Sequence, residues 1–177
     1  MQVIDTKIDG VKVIQPTVFS DTRGFFMETF EKRRFQDMLD IDLDFVQDNY
    51  SRSSRGVLRG LHYQDIKPQG KLVRVVRGEV YDVAVDIRPD SPTFGKWEGI
   101  VLSEENKTQL WIPPGLAHGF VVLSEVADFE YKCTDYYSPE HERCLMWNDP
   151  DVGVTWPVHH PVLSEKDKQG KFLRELI

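Results

Sequence analysis

The sequence predicts an all-β protein, a sandwich or barrel of short strands. From Gly56 onward, apolar stretches of strand length recur at regular short spacing between turns that contain Gly, Pro and Asp. Tyr81, Val83, Val85 and Ile87 alternate with Asp82, Ala84 and Asp86, the two-residue period of a half-buried strand. With 177 residues the chain can bury a sizeable core, and residues 1–177 are expected to form one domain, since no repeat, low-complexity run or linker interrupts them.

Residues 1 to 20 read as two short strands carrying Val11, Val13 and Ile14, followed by the turn Ser20-Asp21-Thr22-Arg23-Gly24. Gly24 to Glu31 reads as an aromatic-rich strand. From Lys32 to Asp40, Phe35, Met38 and Leu39 fall at helical spacing and predict a short structural helix. Residues 45 to 54 are polar at most odd and even positions alike, so one face of this segment must meet water or a wet pocket. Further strands are expected over 56–64, 70–77, 79–88, 96–103, 107–112, 117–124, 126–136 and 143–147, with Pro89 and Pro92 ending the pairing around one loop. In the tail, Ser164 is placed to cap a short helix ending near Gly170, and Phe172 to Ile177 suggest a last helical turn.

Lys and Arg number 22 against 29 acidic residues, a net charge of −7, which excludes an overall field for nucleic acid or an anionic membrane. An anionic ligand would need a local cationic pocket. No apolar run approaches the roughly 18 residues of a membrane-spanning helix, and the start, Met1-Gln2-Val3-Ile4-Asp5, brings in acids where a signal peptide needs an apolar core, so a cytoplasmic protein is expected. Cys133 and Cys144 lack metal-ligand spacing and read as packing thiols.

The chemistry concentrates in Arg59-Gly60-Leu61-His62-Tyr63-Gln64 and in Lys71, where ionisable groups stand among strand-like apolar residues. Each has a plain explanation on its own: a wet strand face for His62 and Arg59, a snorkelling stem for Lys71. Further on, Pro113, Gly115 and His118 have the spacing Pro-x-Gly-x-x-His, which resembles the second motif of the cupins, double-stranded β-helix jelly rolls. Metal-binding cupins add a His-x-His pair and a Glu. His62 has no second His two residues away, and the adjacent His159 and His160 point to opposite sides of an extended chain, so a cupin without a metal is expected.

Nearly the whole chain is similar to the dTDP-4-dehydrorhamnose 3,5-epimerase family. The resemblance is carried by Asp21-Thr22-Arg23-Gly24-Phe25-Phe26 with Glu28, Gln47-Asp48-Asn49-Tyr50-Ser51, Gly56 to Gln64, Gln69-Gly70-Lys71-Leu72-Val73, Ile112 to Phe120, Tyr131-Lys132 and Leu163-Ser164-Glu165-Lys166-Asp167. It implies a cupin jelly roll acting on a dTDP-4-keto-6-deoxyhexose, with no cofactor, as a homodimer whose N-terminal strands exchange between subunits. Inverting a carbon beside a ketone needs a base, a charge for the enolate oxygen and an acid on the opposite face. Imidazole titrates near pH 6.5, which suits His62 to the base. The resemblance places Asp167 beside His62 to orient it, points Lys71 at the C4 oxygen and makes Tyr131 the acid; without it, Tyr131 reads as a core tyrosine and Asp167 as an exposed acid of a helix's first turn. It also maps Arg23, Glu28, Gln47, Asp48, Asn49, Arg59, His118, Glu142 and Lys166 onto substrate contacts, and leaves Phe26, Tyr136 and Tyr137 as candidates to stack on thymine. Arg59 and His62 have opposite parity, so a bulge or kink at Gly60 is expected if both are to reach one pocket. A single-carbon epimerase or 3,4-ketoisomerase of the same sugar, and a non-catalytic sugar-nucleotide-binding module, are the competing readings.

Overall fold

The computed structural model describes residues 1–176. Fourteen segments alternate with turns in chain order: β1 Gln2–Asp5, β2 Lys12–Gln15, β3 Val18–Asp21, β4 Gly24–Met27, α1 Lys32–Leu39, β5 Gln47–Ser54 and β6 Leu58–Gln64, then β7 Lys71–Arg77, β8 Glu79–Asp86, β9 Trp97–Ser103, β10 Gln109–Ile112, β11 Leu116–Val122, β12 Val126–Cys133 and β13 Glu142–Cys144. They assemble into a six-stranded sheet, β1-β2-β10-β7-β12-β5, facing a five-stranded sheet, β13-β6-β11-β8-β9. The strand pairs are antiparallel, so each strand can turn one side to the space between the sheets.

Val73, Val75, Leu110 and Phe129 from the first sheet meet Val80, Leu102, Phe120 and Val122 from the second. Two further apolar layers lie outside this core. Phe35 and Leu39 of α1 cover Leu72, Trp111 and Ile14 behind the first sheet. Behind the second, Trp156 and Leu173 cover Val83, Val85 and Val121. The C-terminal segment thus covers the apolar side of β8, Tyr81, Val83 and Val85, while the opposite side turns Val80 and Ala84 to the space between the sheets, and Asp82 and Asp86 on that side are both 0% exposed. A buried carboxylate must be hydrogen-bonded. Asp86 takes Arg88 Nε at 3.0 Å and Nη2 at 2.7 Å, Ser91 Oγ at 2.5 Å and Thr93 Oγ1 at 2.6 Å. Burial pushes its pKa up, but these donors outweigh burial and hold it at about 2.

Several expected boundaries move for local reasons. The N-terminal region holds three strands rather than two. β4 stops at Met27, short of Glu31, because the Glu31 carboxylate is needed to cap α1, accepting the N–H groups of Arg33 and Arg34; Asp40, at φ 56°, ends the helix. β12 leaves the sheet after Cys133, short of residue 136, where Thr134 closes on Gly70 by two hydrogen bonds. β13 spans only Glu142–Cys144, since beyond it Leu145 and Met146 bond to Leu61 and Lys171 instead. Ser164 Oγ accepts the Asp167 N–H, but only a 3-10 turn, Asp167–Gln169, follows before Gly170. The last turn is another, Leu173–Glu175; Ile177 lies outside the described residues.

β3 and β4 pair only with each other. This hairpin leaves Phe19, Phe25 and Phe26 at 62%, 59% and 70% exposure.

Candidate active site

β6 and β11 lie side by side and carry the histidines that face each other, His62 opposite His118. Next along, Phe120 stands opposite Arg59, so β6 advances three residues while β11 advances two. This is the bulge expected at Gly60. Gly60 has φ 124°, and a Cβ there would lie 2.6 Å from Gly119 Cα. A Cβ on Gly119 would in turn lie 2.5 Å from the Arg59 carbonyl oxygen, so the strands close on each other only because both residues are glycine. The extra residue cancels the parity difference, and Arg59 and His62 line one cavity.

That cavity, of about 260 Å³, is also lined by Asn49, Ser51, Lys71, His118, Phe129 and Tyr131. A smaller recess shares His62, Lys71 and Tyr131 and continues to Tyr137 and Glu142. The polar strand β5 explains itself here: its odd residues, Gln47 to Ser53, are partly or fully buried, and its even ones are exposed.

His62 Nε2 lies 2.5 Å from Asp167 Oδ1. Asp167, far from being an exposed helix acid, is 3% exposed. Its burial works against the carboxylate, but hydrogen bonds from His62, the Ser164 hydroxyl and the Gly60 amide hold its pKa below the ordinary value. The ionised Asp167 fixes Nε2 as the protonated nitrogen and leaves Nδ1 as the basic one. Burial lowers the pKa of Lys71, opposed by the neighbouring Cys133, Asp82 and Glu142. Burial also pushes the Tyr131 phenol up to about 12, helped by Cys133 and Glu142, so it keeps its proton at neutral pH. An uncommitted imidazole nitrogen, an ammonium and a protonated phenol around one cavity can remove a proton, steady an oxyanion and return a proton.

Arg59 Nε donates to Ser53 Oγ at 2.9 Å. Gln47 Nε2 donates to Asn49 Oδ1 at 3.1 Å, and Gln47 Oε1 accepts the Tyr137 N–H at 2.9 Å, so this pair sits at the rim. Glu142 binds the Tyr137 hydroxyl at 2.7 Å and the Lys166 ammonium, joining β13 to the segment that brings Asp167. Three residues stay apart. Arg23, at the hairpin tip, pairs with Asp21, and Glu28 pairs with Arg34. Asp48 is on the exposed side of β5, held by Lys132.

Two neighbours escape sequence reasoning. Asp82 binds His118 Nε2 through both oxygens, at 3.0 and 2.9 Å; in the sequence it was one of three acids on β8, and nothing set it apart from Glu79 and Asp86. Cys144 Sγ lies 4.0 Å from Asp167 Oδ1. Cys144, His62 and Asp167 have ligand atoms within 4.8 Å of one another, and burial, with Asp167 nearby, pushes the thiol up to about 12.

The jelly roll and these groups define an acid–base isomerase of the cupin fold. The family model of dTDP-4-dehydrorhamnose 3,5-epimerase matches residues 5–175, and the chain belongs to that family. The enzyme of that name from Pseudomonas aeruginosa is 58% identical over 172 residues, covering 97% of this chain and 95% of the relative. The structure of the 3,5-epimerase RmlC from Legionella pneumophila, in complex with dTDP-4-keto-L-rhamnose, is 55% identical and superposes with a TM-score of 0.96 over 99% of this chain and 96% of that one. ChmJ, a 3'-monoepimerase from Streptomyces bikiniensis in complex with dTDP-quinovose, is 37% identical, with a TM-score of 0.90 over 96% of this chain and 86% of that one.

Proposed function

We propose that the protein converts dTDP-4-dehydro-6-deoxy-D-glucose to dTDP-4-dehydro-L-rhamnose by inverting C3 and C5 beside the C4 ketone, without a cofactor. His62 Nδ1 removes the C–H proton, and the electron pair moves onto the C4 oxygen. The Lys71 ammonium stabilises that oxygen, a contribution of about 2.7–4 kcal/mol by analogy with a single oxyanion donor. Tyr131 delivers a proton to the opposite face, and Asp167 steadies the imidazolium in between.

The observation that carries this reading is the convergence of His62, Lys71 and Tyr131 on one cavity, with Asp167 2.5 Å behind His62. Arg59, His118, Gln47, Asn49, Glu142 and Lys166 surround the sugar nucleotide, while the Asp48 side chain stays on the outer side of β5 with Lys132. Tyr137, beside the recess, is the best placed of the three aromatic candidates for stacking on thymine. Arg23 and Glu28 act from a second subunit: a homodimer covers the exposed Phe19, Phe25 and Phe26 and carries the hairpin into the partner's cavity. A cytoplasmic setting agrees with two free cysteines and with the lack, among the described residues, of a helix long and apolar enough to cross a membrane.

Solvent labelling tests the reaction. Turnover of dTDP-4-dehydro-6-deoxy-D-glucose in heavy water, followed by proton NMR, is expected to place deuterium at both C3 and C5. Label at a single carbon would make the protein a monoepimerase; label at neither would remove the proposal.

A further inference from the structure

We infer that Asp82 is a positioning residue for this reaction: its buried carboxylate, acting through His118, is the counter-charge that keeps the Lys71 ammonium charged beside the reacting carbonyl. The inference rests on the oxyanion role given to Lys71 above and extends the site to a side chain behind the cavity wall.

Asp82 is 0% exposed, and both its oxygens are spent on one atom, His118 Nε2. Among the described residues neither Asp82 nor Lys71 has an ion pair with a Lys, Arg, Asp or Glu partner. His118 and Lys71 line the same cavity, so the carboxylate, the imidazole and the ammonium form a layered cluster running from the core of β8 to the open space. A buried charge with no opposite charge nearby is costly, and Lys71 is only 9% exposed.

The other groups facing Lys71 do not meet that need. Cys133 on β12 has a thiol that burial holds above its ordinary value, so it is uncharged at neutral pH. Glu142 on β13 is already bound to Lys166 and to the Tyr137 hydroxyl. His62 on β6 is committed to Asp167. His118 on β11 is driven toward its neutral form, by burial first and then by Lys71 and His62, against the pull of Asp82. A neutral His118 with its Nε2–H donated to Asp82 leaves the carboxylate's charge uncancelled. Two lasting positive charges among the described residues line this cavity, Arg59 and Lys71; Arg59 donates its Nε to Ser53 Oγ, and Lys71 is the cation whose charged form Asp82 favours. Protonating His118 instead would cancel Asp82 and set a second cation against Lys71.

The test is Asp82→Asn, which keeps the shape and a hydrogen-bonding group but removes the charge. With the full-length protein, kcat is measured against pH by the labelling assay, and dTDP affinity by calorimetry. Losing the counter-charge lowers the pKa of Lys71 further, so the alkaline limb of kcat is expected to move toward lower pH by about one unit or more. At pH 8, kcat is expected to fall about tenfold, with dTDP affinity changing less than about threefold. An unmoved alkaline limb in a folded variant overturns the inference, because a purely structural role would lower activity and stability without shifting that limb. Should Asp82→Asn fail to fold, the wild-type protein still decides. The 13Cε shift of Lys71 must report an ammonium at pH 7.5, and an uncharged amine there overturns the inference. Lys71→Met separates the two proposals: full turnover in that variant sinks the oxyanion role itself, whatever Asp82 does to the charge.

Discussion

A tyrosine on a core strand ordinarily fills space, and Tyr131 does part of that work against Phe129, with ring centroids 6.0 Å apart. What sets it apart is that it lines the same cavity as His62 while burial keeps its phenol protonated. Replacing it with Phe keeps the ring and removes only the proton donor. The first half of the reaction should survive, since His62 and Asp167 are untouched; the return of a proton from the far side should not. In Tyr131→Phe, formation of inverted product is expected to drop about 10²–10⁴-fold. Deuterium exchange without inversion should persist, as the enolate is reprotonated by the base that made it. Proton NMR of the recovered sugar separates the two, and dTDP binding should be unchanged. Inversion at the wild-type rate would show that the acid is another group. At this scale the sequence was informative about residue type and silent about environment. It offered His62, Lys71 and Tyr131, but whether each was wet, snorkelling or core depended on contacts more than fifty residues away, as between His62 and Asp167. Asp82 was hidden for the same reason, its partner lying on another strand.

Between residue and molecule, the bulge of β6 decides whether the site exists. Gly60→Ala would put a methyl group 2.6 Å from Gly119 Cα and 2.7 Å from the His118 oxygen, at a φ that side chains rarely adopt. The strands would have to part, pulling His62 from His118 and the Gly60 amide from Asp167. The expected outcome is a loss of about 2–4 kcal/mol of stability, read by denaturant unfolding, with turnover falling more than dTDP affinity. Wild-type turnover and stability in this variant would mean that the close approach is dispensable. The kink itself was legible, because parity alone separated Arg59 from His62 and a glycine stood between them. The short helix was legible too: Phe35 and Leu39 are the residues it buries. The two-sided burial of β8 was not. Its apolar side is buried as the alternation suggests, but the side carrying Asp82 and Asp86 is buried too, because His118 satisfies one acid and Arg88, Ser91 and Thr93 the other, and alternation records side-chain type rather than burial.

At the scale of the whole molecule, the hairpin is the unfinished part. A two-stranded hairpin alone is marginally stable, and this one turns three phenylalanines toward solvent while holding Arg23 and Glu28 away from the cavity. If the arm serves a partner's cavity, each active site draws on two chains: Arg23 from one subunit, His62 from the other. Arg23→Ala and His62→Asn should then both be nearly inactive as homodimers. Co-expressed under two tags and purified as a heterodimer, they should regain about half of the wild-type activity per dimer, because two-fold pairing joins the sound arm of one chain to the sound cavity of the other in one site of two. An arm folded back onto its own cavity would leave one lesion in every site, and the heterodimer would stay dead. High activity in Arg23→Ala alone would remove Arg23 from the site altogether. The heterodimer assay thus reads a chain crossing directly from turnover.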